Sequence, residues 1–164
     1  MDIINVQNIR KPLYKQCIKK FGDLDDSTRE LILAAIAMRK FAYAPYSNFK
    51  VGAAFRTKCG RIYSGCNVEN AAFSPSCCAE RNAICKAISE GYSNFIAGAV
   101  VAYQEENFTM PCGVCRQFIM EFSPTDIPLF ITKDTNDGDF KGKMDAVFCT
   151  SIDNLLPSSF RFYR

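Results

Sequence analysis

The chain has 164 residues and a mass of 18.4 kDa; 48% of its residues are hydrophobic and 23% are charged. This composition predicts one domain with a single core and argues against intrinsic disorder. Twenty basic and 17 acidic side chains give a net charge of +3, a balance that argues against a nucleic-acid-binding surface. The lack of histidine excludes Ser-His and Cys-His nucleophile pairs.

The apolar stretches of the sequence are short. The longest, such as 31–37 and 96–103, fall far below the roughly 20 residues that a membrane span needs. Residues 1–22 are polar and basic, without the apolar centre of a secretory signal. The sequence therefore predicts a cytoplasmic protein without membrane contact. The chain has nine cysteines. In such a reducing compartment, cysteines that cluster in the sequence bind metal more often than they form disulfides.

The first predicted element is a helix after an N-terminal extension. Residues 1–23 are predicted as the extension, with one short helix around 13–20, and residues 24–164 as the folded domain. Asp25, Asp26 and Ser27 are N-cap candidates for the next segment. Apolar residues from Leu31 to Ala42 recur there at helical spacing and predict a helix of about four to five turns.

The following elements alternate between strands and helices. Segments 51–55 and 61–65, joined by a Cys59-Gly60 turn, predict a β-hairpin. Further along are a helix over 79–91, a strand over 96–103, a helix over 112–122, a strand over 128–132 and a candidate strand over 145–149. This order predicts a three-layer α/β/α sandwich around a mixed sheet of about five strands.

Two cysteine-bearing segments carry the chemistry. Cys112 and Cys115 stand two residues apart at a predicted helix start, a spacing that suits zinc at a Zn–S distance of about 2.3 Å. The same spacing is typical of thioredoxin-like redox pairs. Cys78, with Glu80 two residues on, favours zinc, because three ligands leave the fourth position of a catalytic zinc open. Arg81 and the two helix N-termini would compensate the charge of three thiolates.

These residues match the zinc-deaminase pattern of a Cys or His, a non-ligand Glu and a Pro-Cys-x-x-Cys element. The chain also contains Tyr43-Ala-Pro-Tyr-Ser-Asn-Phe-Lys-Val-Gly-Ala-Ala54 and Gly65-Cys-Asn-Val-Glu-Asn-Ala71. With these motifs it resembles the small, homotetrameric cytidine deaminases from about residue 32 to residue 160. The resemblance implies one zinc per chain, hydrolytic deamination of cytidine and 2′-deoxycytidine in pyrimidine salvage, and a homotetramer with shared active sites.

The resemblance also assigns roles to the substrate-binding residues. Asn67 and Glu69 would bind the ribose hydroxyls, Phe49 would pack near the pyrimidine, Ala79 would contact the substrate, and Phe160 would reach a neighbouring subunit's site. The sequence departs from the family in two places: Phe73 stands where many relatives have Tyr, and the polar loop at 133–143 is long.

The expected mechanism gives every proton transfer to Glu80. It takes a proton from the water that attacks ring carbon 4 and passes protons to ring nitrogen 3 and to the departing amine. Two alternatives stay open from the sequence. One is another amine substrate, such as an aminonucleoside antibiotic or a polynucleotide. The other is a non-enzymatic zinc module whose fourth ligand would be Cys59, Cys66 or Cys85.

Overall fold

The computed structural model describes residues 12–134 and 146–160. The first part of the predicted extension and most of the polar loop at 133–143 lie outside the described residues. The elements, in chain order, are β1 (Cys17–Lys20), a one-turn 3-10 helix (Phe21–Asp23), α1 (Asp26–Arg39), β2 (Val51–Thr57), β3 (Ile62–Cys66), α2 (Ala79–Ser89), β4 (Phe95–Ala102), α3 (Gly113–Glu121), β5 (Pro128–Lys133), β6 (Ala146–Ser151) and α4 (Ile152–Leu155).

The strands form one mixed sheet in the order β1-β6-β5-β4-β2-β3. The β4–β5 pair is parallel, and the other neighbouring strands are antiparallel. Helix α1 packs on one face of the sheet through Leu31, Ile32 and Ala35. Helices α2, α3 and α4 contribute to the core on the other face. The predicted α/β/α sandwich is confirmed, with six strands in place of about five.

The sixth strand is β1, and it corrects the prediction for the extension. A short helix was predicted around 13–20, but Cys17–Lys20 pairs with β6. The Leu13 N–H also donates to the Asp126 carboxylate over 2.7 Å, and the Gln16 amide donates to the Thr150 hydroxyl over 3.0 Å. An open strand edge offers a row of unpaired N–H and C=O groups, and pairing with it outweighs a weak local helical pattern.

The hairpin and the long helices lie close to where the sequence predicts them. Asp25 is the N-cap of α1: its carboxylate accepts hydrogen bonds from the Thr28 N–H and from the Thr28 hydroxyl, both at 2.8 Å. The short helix α4 was not predicted. None of the helices within 12–134 and 146–160 is long and apolar enough to span a membrane.

Helix α2 lies unusually close to β3, and Gly65 makes this approach possible. A Cβ atom on Gly65 would lie 2.4 Å from the Ala83 nitrogen and 2.7 Å from the Ala79 carbonyl oxygen. The Asn82 amide adds a hydrogen bond of 2.8 Å to the Cys66 carbonyl. These contacts fix the start of α2 beside the end of β3.

Candidate metal centre and active site

Three cysteine thiols converge where two helices begin. Cys78 is the N-cap residue of α2, Cys112 is the N-cap residue of α3, and Cys115 lies in the first turn of α3. Their sulfur atoms all lie within 4.8 Å of one another, and those of Cys78 and Cys112 are 4.0 Å apart. Cys78 and Cys112 have extended backbone, and the helix begins at the next residue in each case. The fold therefore places the sulfurs of Cys78 and Cys112 at helix starts.

The cluster fits a zinc ion. Ligands at about 2.3 Å from a tetrahedral zinc are about 3.8 Å apart, close to the spacing of these thiols. Thiolates are soft ligands that select zinc over calcium or magnesium. The two helix N-termini direct partial positive charge at the sulfurs. Arg81 lies beside them, and its buried Nε has no hydrogen-bond partner among the described residues.

The thiols already polarise one another. A hydrogen bond from the Cys115 thiol lowers the pKa of Cys78 to about 5, and Arg81 and the Cys112 thiol act in the same direction. The same hydrogen bond, together with burial, raises the pKa of Cys115. Arg81 also donates to the Ser76 carbonyl over 3.1 Å, which fixes its guanidinium in the loop that leads to Cys78.

Glu80 is the buried carboxyl beside this cluster. It lies in the first turn of α2 and is only 4% exposed. Burial raises the pKa of Glu80 to about 7, with the charge of Cys78 adding to the rise and a backbone N–H opposing it. A carboxyl group with a pKa near 7 can both accept and return a proton at neutral pH.

The predicted ribose-binding residues lie on a segment next to the cluster. Val68 exchanges two backbone hydrogen bonds of 2.9 Å with Cys77, and on its other side it bridges to Tyr43. Asn67 and Glu69 flank Val68, so the fold brings them to the loop that carries Cys78. The Asn67 amide donates to the Phe49 carbonyl and accepts from the Val51 N–H, both at 2.8 Å.

The remaining predicted residues occupy different environments. Ala79 is completely buried as the first residue of α2, and Phe49 is partly buried. The Phe160 side chain is 68% exposed, while its carbonyl accepts a hydrogen bond of 3.1 Å from Gln117 on α3. The structure thus ties the C-terminal segment to the helix that bears Cys115. The substrate roles of these residues stay predictions.

Arg116 is a site residue that sequence reasoning missed. Its Nε donates to the Pro111 carbonyl over 2.7 Å, and its Nη1 donates to the Leu155 carbonyl over 2.8 Å. It therefore joins the loop before Cys112 to the end of α4. Its position directly after Cys115 was the available signal, but the partner in α4 becomes visible only in the fold.

The sequence model of one family, described as the cytidine and deoxycytidylate deaminase zinc-binding region, matches residues 25–131. The chain belongs to this deaminase family. The matched region contains all three clustered cysteines and Glu80. The predicted family, enzyme class and zinc dependence are confirmed.

Individual deaminases are similar over most of their length. A cytidine deaminase of Sporosarcina psychrophila is 44% identical over 131 residues, which are 80% of this chain and 89% of that protein. The crystal structure of cytidine deaminase from Burkholderia pseudomallei has a TM-score of 0.69 and 43% identity, and it covers 80% of this chain and 97% of its own. A blasticidin-S deaminase of Bacillus cereus is 31% identical over 139 residues, 80% of this chain and 91% of that protein.

Proposed function

We propose that this member of the deaminase family converts free cytidine, and 2′-deoxycytidine, to uridine or deoxyuridine and ammonia. The observation that carries the proposal is the convergence of three thiols within 4.8 Å, with the buried Glu80 beside them. Three ligands and a separate proton carrier are what a hydrolytic zinc site requires. The reaction would serve pyrimidine salvage in the cytoplasm.

Cys78, Cys112 and Cys115 would hold the zinc ion. When bound, zinc supplies a Lewis acid that lowers the pKa of water toward about 7 and so provides a nucleophile at neutral pH. Arg81 balances part of the negative charge that three thiolates bring together. Among the described residues only three ligands converge, without Cys59, Cys66 or Cys85. A non-enzymatic zinc module would need a fourth protein ligand, so it is the less favoured alternative.

Glu80 carries the protons. Its carboxylate accepts one proton from the water that attacks ring carbon 4 and delivers it to ring nitrogen 3. It then moves the second proton to the amine, which leaves as ammonia while carbon 4 gains its carbonyl oxygen. Burial keeps the carboxyl away from bulk water, so its protons go to the substrate.

Substrate binding belongs to the segment around Val68. Glu69 would accept a hydrogen bond from a ribose hydroxyl, and Asn67 would bind the neighbouring one. Phe49, whose carbonyl Asn67 holds, would pack against the pyrimidine, and Ala79 would contact the base at the start of α2. A site that hydrogen-bonds the sugar disfavours ligands without a sugar, such as free cytosine, because its polar groups would stay unpaired.

The assembly would be a homotetramer, with no nucleic acid or membrane among its partners. Large apolar side chains are exposed near the substrate segment: Phe41, Tyr43, Tyr46, Val68 and Phe73. The bridge between Tyr43 and Val68 and the hydrogen bond from the Tyr46 N–H to Glu69 bring three of them together. Exposed apolar patches of this kind mark protein interfaces. Phe160 would complete the active site of a neighbouring subunit.

The likeness to a blasticidin-S deaminase favours one second candidate, deamination of an aminonucleoside antibiotic. Its identity of 31% is well below the 44% found for a cytidine deaminase. We therefore place cytidine first and assay both substrates. Turnover of the antibiotic without turnover of cytidine would reverse that order.

The decisive experiment combines zinc content with the loss of cytidine absorbance. We expect one zinc per chain and turnover in the wild type. Glu80→Gln should keep the zinc and lose about a hundredfold or more of kcat, because the amide cannot carry protons. Cys112→Ala should lose both zinc and turnover. Near-normal kcat in Glu80→Gln would overturn the assignment of Glu80, and a wild type without zinc would overturn the mechanism.

A further inference from the structure

Cys17 and Cys149 lie directly opposite each other in the sheet. Cys17 begins β1, and Cys149 is its Cα partner across the antiparallel β1–β6 pair. Opposed residues of such a pair present their side chains on the same face. Cys149 packs against the core on the α1 face, and Cys17 is half-buried. Two thiols from opposite ends of the chain therefore stand side by side.

The backbone spacing suits a covalent bond. Opposed Cα atoms of an antiparallel pair are about 4.5 or 5.5 Å apart, and disulfides span Cα separations of about 4.4 to 6.8 Å. The thiols also interact: burial and the neighbouring Cys17 thiol raise the pKa of Cys149 to about 11. Within the described ranges, no third ligand completes a metal site with this pair.

Among the described residues 12–20, few contacts outside the sheet hold the extension in place. Three of the four β1 residues are exposed, including Ile18 at 63%. Beyond its pairing with β6, hydrogen bonds join Leu13 to Asp126, Gln16 to Thr150 and the Tyr14 carbonyl to Asn154. Short, exposed segments of this kind open locally at little cost in free energy, so a covalent link would change how often β1 leaves the sheet.

We propose that Cys17 and Cys149 form a reversible cross-strand disulfide that fastens the N-terminal extension to the sheet under oxidising conditions. The oxidant is a low-molecular-weight disulfide, such as oxidised glutathione. The bond lies outside the metal cluster, and the proposal does not depend on the proposed function.

The exchange proceeds in two steps. Cys17 loses its proton, and its sulfur attacks one sulfur of the small disulfide, which releases one small thiol and leaves a mixed disulfide. Cys149 then loses its proton and attacks the Cys17 sulfur, which releases the second small thiol. Two protein thiols are oxidised to one disulfide, while the small disulfide is reduced to two thiols. Cys17 attacks first, because the raised pKa of Cys149 keeps its sulfur protonated.

The first test identifies the bond. The zinc-loaded protein is treated with oxidised glutathione, its remaining thiols are alkylated, and it is digested with trypsin without reduction. We expect the tryptic peptides 16–19 and 144–161, which contain Cys17 and Cys149, to appear joined and to separate after reduction. Cys17→Ser and Cys149→Ser should each abolish the joined peptide. Cys59→Ser, which removes an exposed thiol in the β2–β3 turn, should leave it intact.

The second test measures how much the disulfide stabilises the fold. Oxidation should raise the Tm of the wild type by about 5–10 °C, since disulfides that close long loops stabilise most. The Tm of oxidised Cys17→Ser should equal that of the reduced variant. Separate alkylation of Cys17 and Cys149 after oxidation would overturn the proposal. So would a joined peptide without a rise in Tm, or the same rise in Cys17→Ser.

Discussion

The Glu69 carboxylate has two tasks in the proposed site. It accepts hydrogen bonds from the N–H groups of Tyr46 and Ser47 and from the Ser47 hydroxyl. The hydroxyl contributes most to holding the pKa of Glu69 below its usual range. A carboxylate offers about four acceptor sites, so these three donors leave one for a ribose hydroxyl. Glu69 can thus shape its loop and bind substrate together.

Replacing Glu69 by Gln removes the negative charge and keeps the shape of the side chain. The amide N–H₂ would face the donors of Tyr46 and Ser47, and the ionised acceptor would be lost. We expect kcat/KM for cytidine to fall about ten- to a hundredfold, mainly through KM. Zinc content should not change. Steady-state kinetics with metal analysis measures both.

Two controls make the Glu69 result specific. Glu106→Gln changes another exposed carboxylate and should behave as the wild type. A cytidine analogue with neither the 2′- nor the 3′-hydroxyl should lose less from Glu69→Gln than cytidine does. An equal fall in kcat/KM with both substrates would mean that Glu69 only stabilises its loop and does not bind the ribose.

Single residues differ in how well the sequence predicts them. The cysteine and glutamate positions around the proposed metal site follow from short spacings at helix starts, because a helix start fixes the direction of its first side chains. The hydrogen bonds from Ser47 to Glu69 and from Arg116 to Leu155 join residues far apart in the chain. Local spacing contains no information about such partners, so only the fold reveals them.

At the scale of elements, the position of α2 depends on β3. The start of α2 carries Cys78 and Glu80, and Gly65 on β3 is the point of closest backbone approach. A shift of α2 would therefore move Cys78 and Glu80, the proposed metal ligand and proton carrier, together.

Gly65→Ala should cause that shift. The added methyl group would overlap backbone atoms of α2, and overpacking of this kind costs about 1–3 kcal/mol. We expect a lower unfolding midpoint in urea and a fall in kcat of up to about a hundredfold, because small misplacements of catalytic groups are costly. Gly22→Ala is the matched control, since no atom lies within 4 Å of the added Cβ. Wild-type stability and kcat in Gly65→Ala would contradict this account.

The N-terminus of α1 gives a pH-dependent prediction. The Thr28 N–H and hydroxyl hold the pKa of Asp25 below its unfolded value, so the folded state favours the ionised carboxylate. That stabilisation is complete above the unfolded pKa of about 3.9 and is lost as the pH falls through the lower folded value. Asp25→Ala should cost about 1 kcal/mol at pH 7, and the difference from the wild type should vanish in strong acid.

Urea titrations of the wild type and Asp25→Ala from pH 7 down to pH 2.5 measure that difference. Asp23→Ala, which removes an exposed carboxylate before the helix, should show no such trend. A difference that grows on acidification would refute the capping role of Asp25.

At the scale of the whole molecule, the exposed apolar side chains are where the proposed homotetramer can be tested. We expect sedimentation velocity to give four times the chain mass of 18.4 kDa. Phe41→Lys, at a position 74% exposed, should shift the protein to smaller species by placing charge in the interface. Leu13→Lys, at a position 73% exposed in the extension, is the matched control and should leave the tetramer intact. A monomeric wild type would contradict the proposed assembly.

The overall architecture was predictable because its elements alternate and the longer ones carry a clear hydrophobic period. The sequence could not predict β1, because a four-residue strand with one half-buried side chain has almost no period of its own. Its structure comes from the β6 edge. The short helix α4 escaped prediction for a similar reason: Ser151 caps it, but four residues are too few to show a helical period.

The pairing of β1 with β6 has a consequence for protein synthesis. β1 leaves the ribosome before the other described strands, whereas β6 and Asn154, which binds the Tyr14 carbonyl, follow all the others. β1 must therefore wait, unpaired, until β6 has emerged. Because contacts between distant segments close late, β1 would complete the sheet only after the sandwich behind it has formed.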